Sequence, residues 1–338
     1  MPRPSVYSFA VQVASRLPDS WTAVAHRLDP SQPGPFHEVW DDQMLEWATS
    51  EHCRSKAAIL TSRSDDCLLV MAHPQRDTDF IVGALAPARL VKNPVGDANA
   101  PRAILVGAEP VRAATEIARR YLPRYQQAVW QVRIQALAAA ADGIRQASDR
   151  WDAVSDSLCD EDGWPIDEEN YADGNVARDA AAWEHVETFL AHGPAVLAGV
   201  RAAATGADYA DGPISSDLRR LHGIDTDLTR AAEIRREWQE AIALVTSSTH
   251  GSRDIYEVQT RELRNAEGWH HADELAGSGK ALVRAAEPLT GRLGIPPGAP
   301  ERRIQAALQR SAMGLRSASA ADPAAPGTSI PGAARRSR

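Results

Sequence analysis

The chain has 338 residues, of which 43% are hydrophobic and 24% charged, and its net charge is −8 at pH 7. That composition is expected of a soluble globular protein with ample material for a core, while the length suggests about two domains. Eight Arg against Glu301 and Asp322 give the segment from Gly291 onward a net of +6, which leaves −14 on the first 290 residues, a body that repels nucleic acid and anionic lipid.

Val6, Phe9, Val13 and Leu17 follow helical spacing. Pro18 ends that run, and Asp19 or Ser20 caps a second helix carrying Trp21, Val24 and Leu28. Three prolines and a glycine make 29–35 a loop. A third helix is predicted over 36–53, burying Trp40, Met44 and Trp47. The period then changes. Residues 57–61, 67–72 and 80–85 are short apolar runs separated by SRSDD and HPQRDT, turns of hairpin length, and they predict an antiparallel meander. Residues 103–106 are a candidate fourth strand.

From Pro110 the pattern is helical almost to Pro288. Residues 111–121 form a lead-in, and Pro123 either kinks it or starts the next helix at its first position. Trp130, Leu137, Ile144, Trp151 and Leu158 then repeat at seven, with Arg133, Ala140, Ala147 and Val154 offset by three. This seam, bulky on one rail and mostly small on the other, predicts a helix to about Cys159, roughly 54 Å long. Val176, Trp183, Leu190, Leu197 and Ala204 give a second helix over 176–204, bent at Gly193-Pro194. Its position as hairpin neighbour makes it the partner of the small Ala140 and Ala147 rail. A third helix is predicted over 217–247 (Leu221, Ile224, Leu228, Ala231, Trp238, Ile242, Val245). A less regular fourth covers 254–286 (Ile255, Leu263, Trp269, Leu275, Leu282). Short connections make sequential neighbours antiparallel. Past Gly291 only 302–313 is amphipathic, and the rest of that tail predicts disorder.

The expected fold class is α+β, mostly α. A small N-terminal antiparallel-sheet and helix domain occupies 1–110. A long antiparallel four-helix, coiled-coil-like bundle occupies 111–290, with an acidic inter-helix loop at 159–175. A Pro/Gly/Ala/Arg-rich, largely disordered tail occupies 291–338.

Residues 151–177 hold nine acids and no base. Asp160, Asp162, Gly163 and Glu169 fall at positions 3, 5, 6 and 12 of an EF-hand loop. Position 1, however, is Leu158, where calcium needs a carboxylate, and Pro165 occupies position 8. The plainer reading is a solvated acidic turn. A third reading is a docking surface for a basic partner. Trp164 and Tyr171 favour it, because aromatics in charged surroundings are typical contact residues. The interaction residues expected there are Asp160, Asp162, Trp164, Glu168, Glu169 and Tyr171.

Glu267 and His270 form one E-x-x-H pair, whereas a di-iron bundle needs two and further glutamates. His270 with Glu274, or Glu267 with His271, has the i,i+4 spacing that suits zinc, with no third ligand evident. The plain alternative is an exposed polar helix face. Gly277-Ser-Gly-Lys280 lacks the spacing, the following Ser or Thr and the preceding strand of a phosphate loop. His73, Arg76, Asp77 and Asp79 bring an imidazole near carboxylates, a composition that tight hairpins favour for turn geometry. No nucleophile elbow, HExxH or dinucleotide-binding glycine pattern occurs. Cys53, Cys67 and Cys159 are odd in number and form no CxxC pair, so a reducing compartment fits. Lysine occurs only at 56, 92 and 280 among 37 Lys and Arg together, a bias spread along the chain that marks no site. The interrupted run Val6–Ala14 reads as an amphipathic helix and not as a signal sequence, and no segment approaches the roughly 20 apolar residues of a membrane span.

Three functions follow as expectations. The first is a non-catalytic interaction or scaffold protein, monomeric or homodimeric, that presents the head and the acidic loop on the bundle. The second is a nucleic-acid accessory protein acting through the Arg-bearing tail, which ends Arg335-Arg336-Ser337-Arg338. The third is a metal-binding bundle using Glu267, His270, His271 and Glu274. No catalytic residue, cofactor or membrane contact is expected, and the expected location is the cytoplasm.

Overall fold

The computed structural model describes residues 4–27, 39–40, 44–45, 48, 56–63, 66–87, 97–247 and 253–292. The chain divides into Met1–Gly294 and Ile295–Arg338, and every described residue lies in the first unit. The tail segment 302–313 and the Arg cluster at 335–338 lie outside the described residues. The architecture is α+β, an antiparallel six-stranded sheet followed by long helices.

Helix α1 (Val6–Ala14) is capped by the Ser5 hydroxyl, which accepts from the Ser8 N–H. Spacing predicts a second helix next, but residues Trp21–Arg27 form strand β1. Asp19 has φ 66° and makes a turn in place of an N-cap. The segment also alternates, with Trp21 and Ala23 inward and Thr22 and Val24 outward. Its antiparallel pairing along β3 decides the outcome, from Trp21 opposite Ser62 to Arg27 opposite Lys56. Over 36–53, too, the structure departs from the single helix that spacing predicts. Val39–Trp40 is a short strand, β2, paired to Leu85 and Ala84. Residues 44–45 and 48 are helical, and Trp47 lies outside the described residues.

Strands β3 (Lys56–Ser62), β4 (Cys67–Ala72) and β5 (Asp79–Leu85) form the predicted meander. β6 (Ile104–Gly107) pairs with β5 beside β2. The three meander strands read as continuous apolar runs because both faces of the sheet are covered. One face packs on α1, where Phe9 stacks on Phe80 with centroids 3.8 Å apart. The other, carrying Ile59, Leu69, Met71 and Ile81, packs on Leu45 and Ala48.

Helix α2 (Pro110–Glu116) passes through a π turn, Ile117–Tyr121, into α3 (Leu122–Ser155). The wider turn makes room for the Pro123 ring, so the helical path continues. α3 serves two cores. Leu122, Tyr125, Val129 and Val132 pack with the strands, and the Cys67 N–H donates to Tyr125 Oη at 3.1 Å. From Trp130 to Ile144 the same helix lies in the bundle core.

The bundle continues with α4 (Glu168–Ala203), two short helices α5 (Gly206–Ala210) and α6 (Ser215–Arg220), then α7 (Ile224–Ser247) and α8 (Arg253–Ala286). α4 starts at Glu168, well before the predicted 176. Asp167 caps it, and Glu168 and Glu169 face the positive end of its dipole. Apolar periodicity is blind to such a polar first turn. α4 also continues through Pro194. The predicted 217–247 helix is two helices separated at 221–223, where Gly223 weakens helical order. Within α6, buried Asp217 is held by Arg284 at 2.6 Å.

Trp151 meets Gly174 and Trp130 meets Gly199, so α3 and α4 are antiparallel. Trp183 meets Gly268 and Phe189 meets Gly279, so α4 and α8 run parallel. Trp238 donates to Glu267 and His271 faces Asp227, which makes α7 and α8 antiparallel. In each aromatic pair a Cβ on the glycine would penetrate the ring. Those glycines weaken helices by about 1 kcal/mol each, and the close helix contact offsets that loss.

α4 and α8 also carry one sequence pattern twice, 86 positions apart (264 − 178). Arg178-Asp-Ala-Ala-Ala-Trp183 matches Arg264-Asn-Ala-Glu-Gly-Trp269, and His185, Gly193 and Ala195 match His271, Gly279 and Ala281. The match is realised as a reciprocal contact. The Arg178 guanidinium lies 4.0 Å from the Trp269 ring centroid, and that of Arg264 lies 4.9 Å from Trp183. Each Arg donates twice to the side-chain oxygen of its successor, Asp179 or Asn265, both buried. Ile224, Leu228, Ala231, Ile234 and Trp238 of α7 likewise stand where α3 has Leu137, Ala141, Ile144, Ala147 and Trp151. The bundle is thus one helical hairpin plan used twice, as α3–α4 and α7–α8.

Candidate acidic interaction tip

The first hairpin turns through an ordered tip. A short 3-10 turn, Asp156–Leu158, follows α3, and Cys159 then bridges to Pro165. The Asp160 carboxylate accepts from the N–H groups of Asp162 at 3.0 Å and Trp164 at 2.9 Å. Gly163 sits at φ 84°, a left-handed conformation that suits glycine. The Ile166 N–H closes back on the Leu158 carbonyl at 2.8 Å. Asp167 accepts from the N–H groups of Glu169 and Asn170 and starts α4. The acids therefore have local work: Asp160 builds the turn, Asp167 caps, and Glu168 and Glu169 complement the helix dipole.

That order leaves two large apolar side chains in water. Trp164 is 71% exposed and Ile166 is 70% exposed. Asp160, Asp162, Glu168 and Glu169 are exposed around them. Tyr171, the sixth residue predicted for this surface, turns inward. It is half-buried and meets Trp151 edge-on at 4.9 Å, so it braces the hairpin beneath the tip. Below it Trp151, Val154, Leu158 and Gly174 line an open groove between α3 and α4.

Several of the remaining candidates make structural contacts. Glu267 accepts from Trp238 Nε1 at 2.7 Å, and His271 Nδ1 lies 3.5 Å from Asp227. His270 and Glu274 are exposed on α8. Among the described residues no group of three His, Cys, Asp or Glu side chains could hold a metal ion. His73 Nδ1 accepts from the Gln75 N–H, and Asp79 holds Thr78 and Arg76, so these side chains shape their own hairpin. The Gly277–Lys280 stretch is helical, and Lys280 pairs with Asp142 at 2.8 Å. No helix among the described residues is long and apolar enough to cross a membrane.

Two features escaped periodicity. One is the Arg–Trp reciprocity, whose signal was the paired R-x-A-x-x-W strings. The other is a second open groove, where Pro194, Leu197 and Leu228 lie between α4 and α7. No family model, curated protein or solved structure matches the chain.

Proposed function

We propose that this is a non-catalytic interaction protein whose docking surface is the tip of the first hairpin. The sheet head and the coiled-coil-like bundle act as a scaffold for that tip, and the proposed setting is the cytoplasm. The carrying observation is the exposed pair Trp164 and Ile166 on a turn held by Asp160 and Asp167. A hydrogen-bonded turn loses little entropy on binding, and exposed apolar side chains supply burial energy. The surrounding carboxylates select a basic partner and quicken its encounter. The proposed partner surface is thus cationic with an apolar socket. Affinity capture with the full-length protein tests this. Trp164→Ala with Ile166→Ala should weaken capture of the partner at least tenfold, about 1.4 kcal/mol. Reversing Asp162, Glu168 and Glu169, which leaves the Asp160 turn in place, should abolish it, and added salt should weaken it. Capture unaffected by both variants contradicts the proposal.

A further inference from the structure

The acidic body has one cationic stretch. Residues 101–134 carry six Arg and two Glu, a net of +4 (6 − 2). Both glutamates are engaged within the stretch. Glu109 caps α2 by accepting from the Val111 and Arg112 N–H groups, and Glu116 pairs with Arg112 at 3.5 Å. Beside this stretch lies an open cavity of about 370 Å³, lined by residues 99–102, which lead into β6, and by side chains of α3 between Arg124 and Gln131. Its polar lining is Asn99, Arg102, Arg124, Gln127 and Gln131, and no carboxylate lines it. The volume falls in the range of roughly 300–1,000 Å³ of small-molecule sites.

The lining has two different ends. Arg124 has no hydrogen-bond or ion-pair partner among the described residues, and neither have the side chains of Gln127 and Gln131. Gln131 stands seven residues beyond Arg124, about 10 Å along the helix. Asn99 belongs to the Gln131 end, because its amide nitrogen donates to Gln135 Oε1 at 3.3 Å. That nitrogen also donates to Asp97 Oδ1 at 3.2 Å, so both amide hydrogens are used and only the Asn99 oxygen is left to accept. Asp97 fixes the turn as well, accepting from the Asn99 N–H and from Trp40 Nε1, each at 2.9 Å. The acceptor end is therefore preorganised. A guanidinium with no acid to meet suits an oxyanion, above all a phosphate that it can bind through two N–H groups. Free glutamine amides and a lone carbonyl acceptor suit hydroxyl groups, which both donate and accept. No aromatic side chain lines the cavity, so a nucleobase would find no stacking surface. We infer that this cavity binds a small phosphorylated polyol, its phosphate held by the guanidiniums and its hydroxyls by the amides.

Isothermal titration of the full chain with glucose 6-phosphate, ribose 5-phosphate and glycerol 3-phosphate, each up to about 10 mM, tests the inference. At least one should bind one to one, and about tenfold or more tightly than inorganic phosphate and than its parent glucose, ribose or glycerol. Arg124→Ala should weaken that binding at least about tenfold, and Gln127→Ala should weaken it while leaving inorganic phosphate unaffected. Both positions are exposed, so helicity by circular dichroism should be unchanged in each variant. Trp164→Ala should bind like the wild type, which separates this result from the fate of the acidic tip. No binding of any of the three, inorganic phosphate bound as tightly as they are, or an Arg124→Ala variant that binds like the wild type overturns the inference.

Discussion

The hairpins α3–α4 and α7–α8 share a plan and diverge in how they end. In the first, Trp151 lies over Gly174 and against Tyr171, which locks the helices together up to an ordered acidic tip. In the second, the matching Trp238 is half-buried and donates to Glu267. Its distal arm leaves Leu244, Ile255 and Leu263 in water. The centre diverges by one charge, with Arg178 holding Asp179 while Arg264 holds Asn265. What the copies keep is the core that brings α4 and α8 together. What they do not keep lies at the tips, and there the two surfaces differ, one acidic and one with exposed apolar side chains.

The largest test of that contrast compares the two tryptophans. Trp151→Ala should cost about 3–5 kcal/mol by urea denaturation, because it empties a buried contact. Trp238→Ala should cost about 1 kcal/mol, since it removes a half-exposed ring and one hydrogen bond. Equal losses would show that both hairpins are locked alike. Glycines sharpen the comparison within one helix. Gly268→Ala drives a methyl into the Trp183 ring and should lose about 1–3 kcal/mol. Gly277→Ala meets no neighbouring atom and should gain about 0.5–1 kcal/mol from helix propensity.

A smaller effect is expected at the charge that separates the copies. Burial raises the Asp179 carboxyl above its ordinary value, although Arg178 pulls the other way. A folded value above the unfolded one means that the folded protein binds the proton more tightly. The site's favourable contribution is therefore full below the unfolded pKa and is lost as pH rises through the folded one. Asp179→Asn, which copies Asn265, should remove that decline when stability is followed from about pH 3.5 to 7. At pH 7 it should stay within about 1 kcal/mol of wild type, since an amide fills the matching place; a loss near 3 kcal/mol would mark the ion pair as required. The smallest effect on stability belongs to Trp164→Ala, within about 0.5 kcal/mol, because its ring touches water.

The bundle was legible because Trp130, Leu137, Ile144 and Trp151 recur at seven and are all buried. The meander was legible because its apolar runs are short and bounded by turns. The strand β1 was not, since Trp21, Val24 and Leu28 also fit a helix, and only pairing with β3 selects period two. The start of α4 hid in acids that stabilise a helix through its dipole and not through its core. At the tip, the acidic cluster and Trp164 were legible as composition. Their roles were not, because an aromatic in this acidic stretch can turn outward like Trp164 or inward like Tyr171, and composition is the same either way. The repeated R-x-A-x-x-W strings were present in the sequence, yet their meaning rests on α4 and α8 lying parallel.

The most direct measurement is quantitative affinity capture from host extract, with wild-type protein and the Trp164→Ala, Ile166→Ala variant compared in one experiment at two salt concentrations. The proposed docking tip predicts a basic partner that is retained by the wild type, depleted at least tenfold on the variant and released by salt. An identical set of retained proteins on both baits would contradict it.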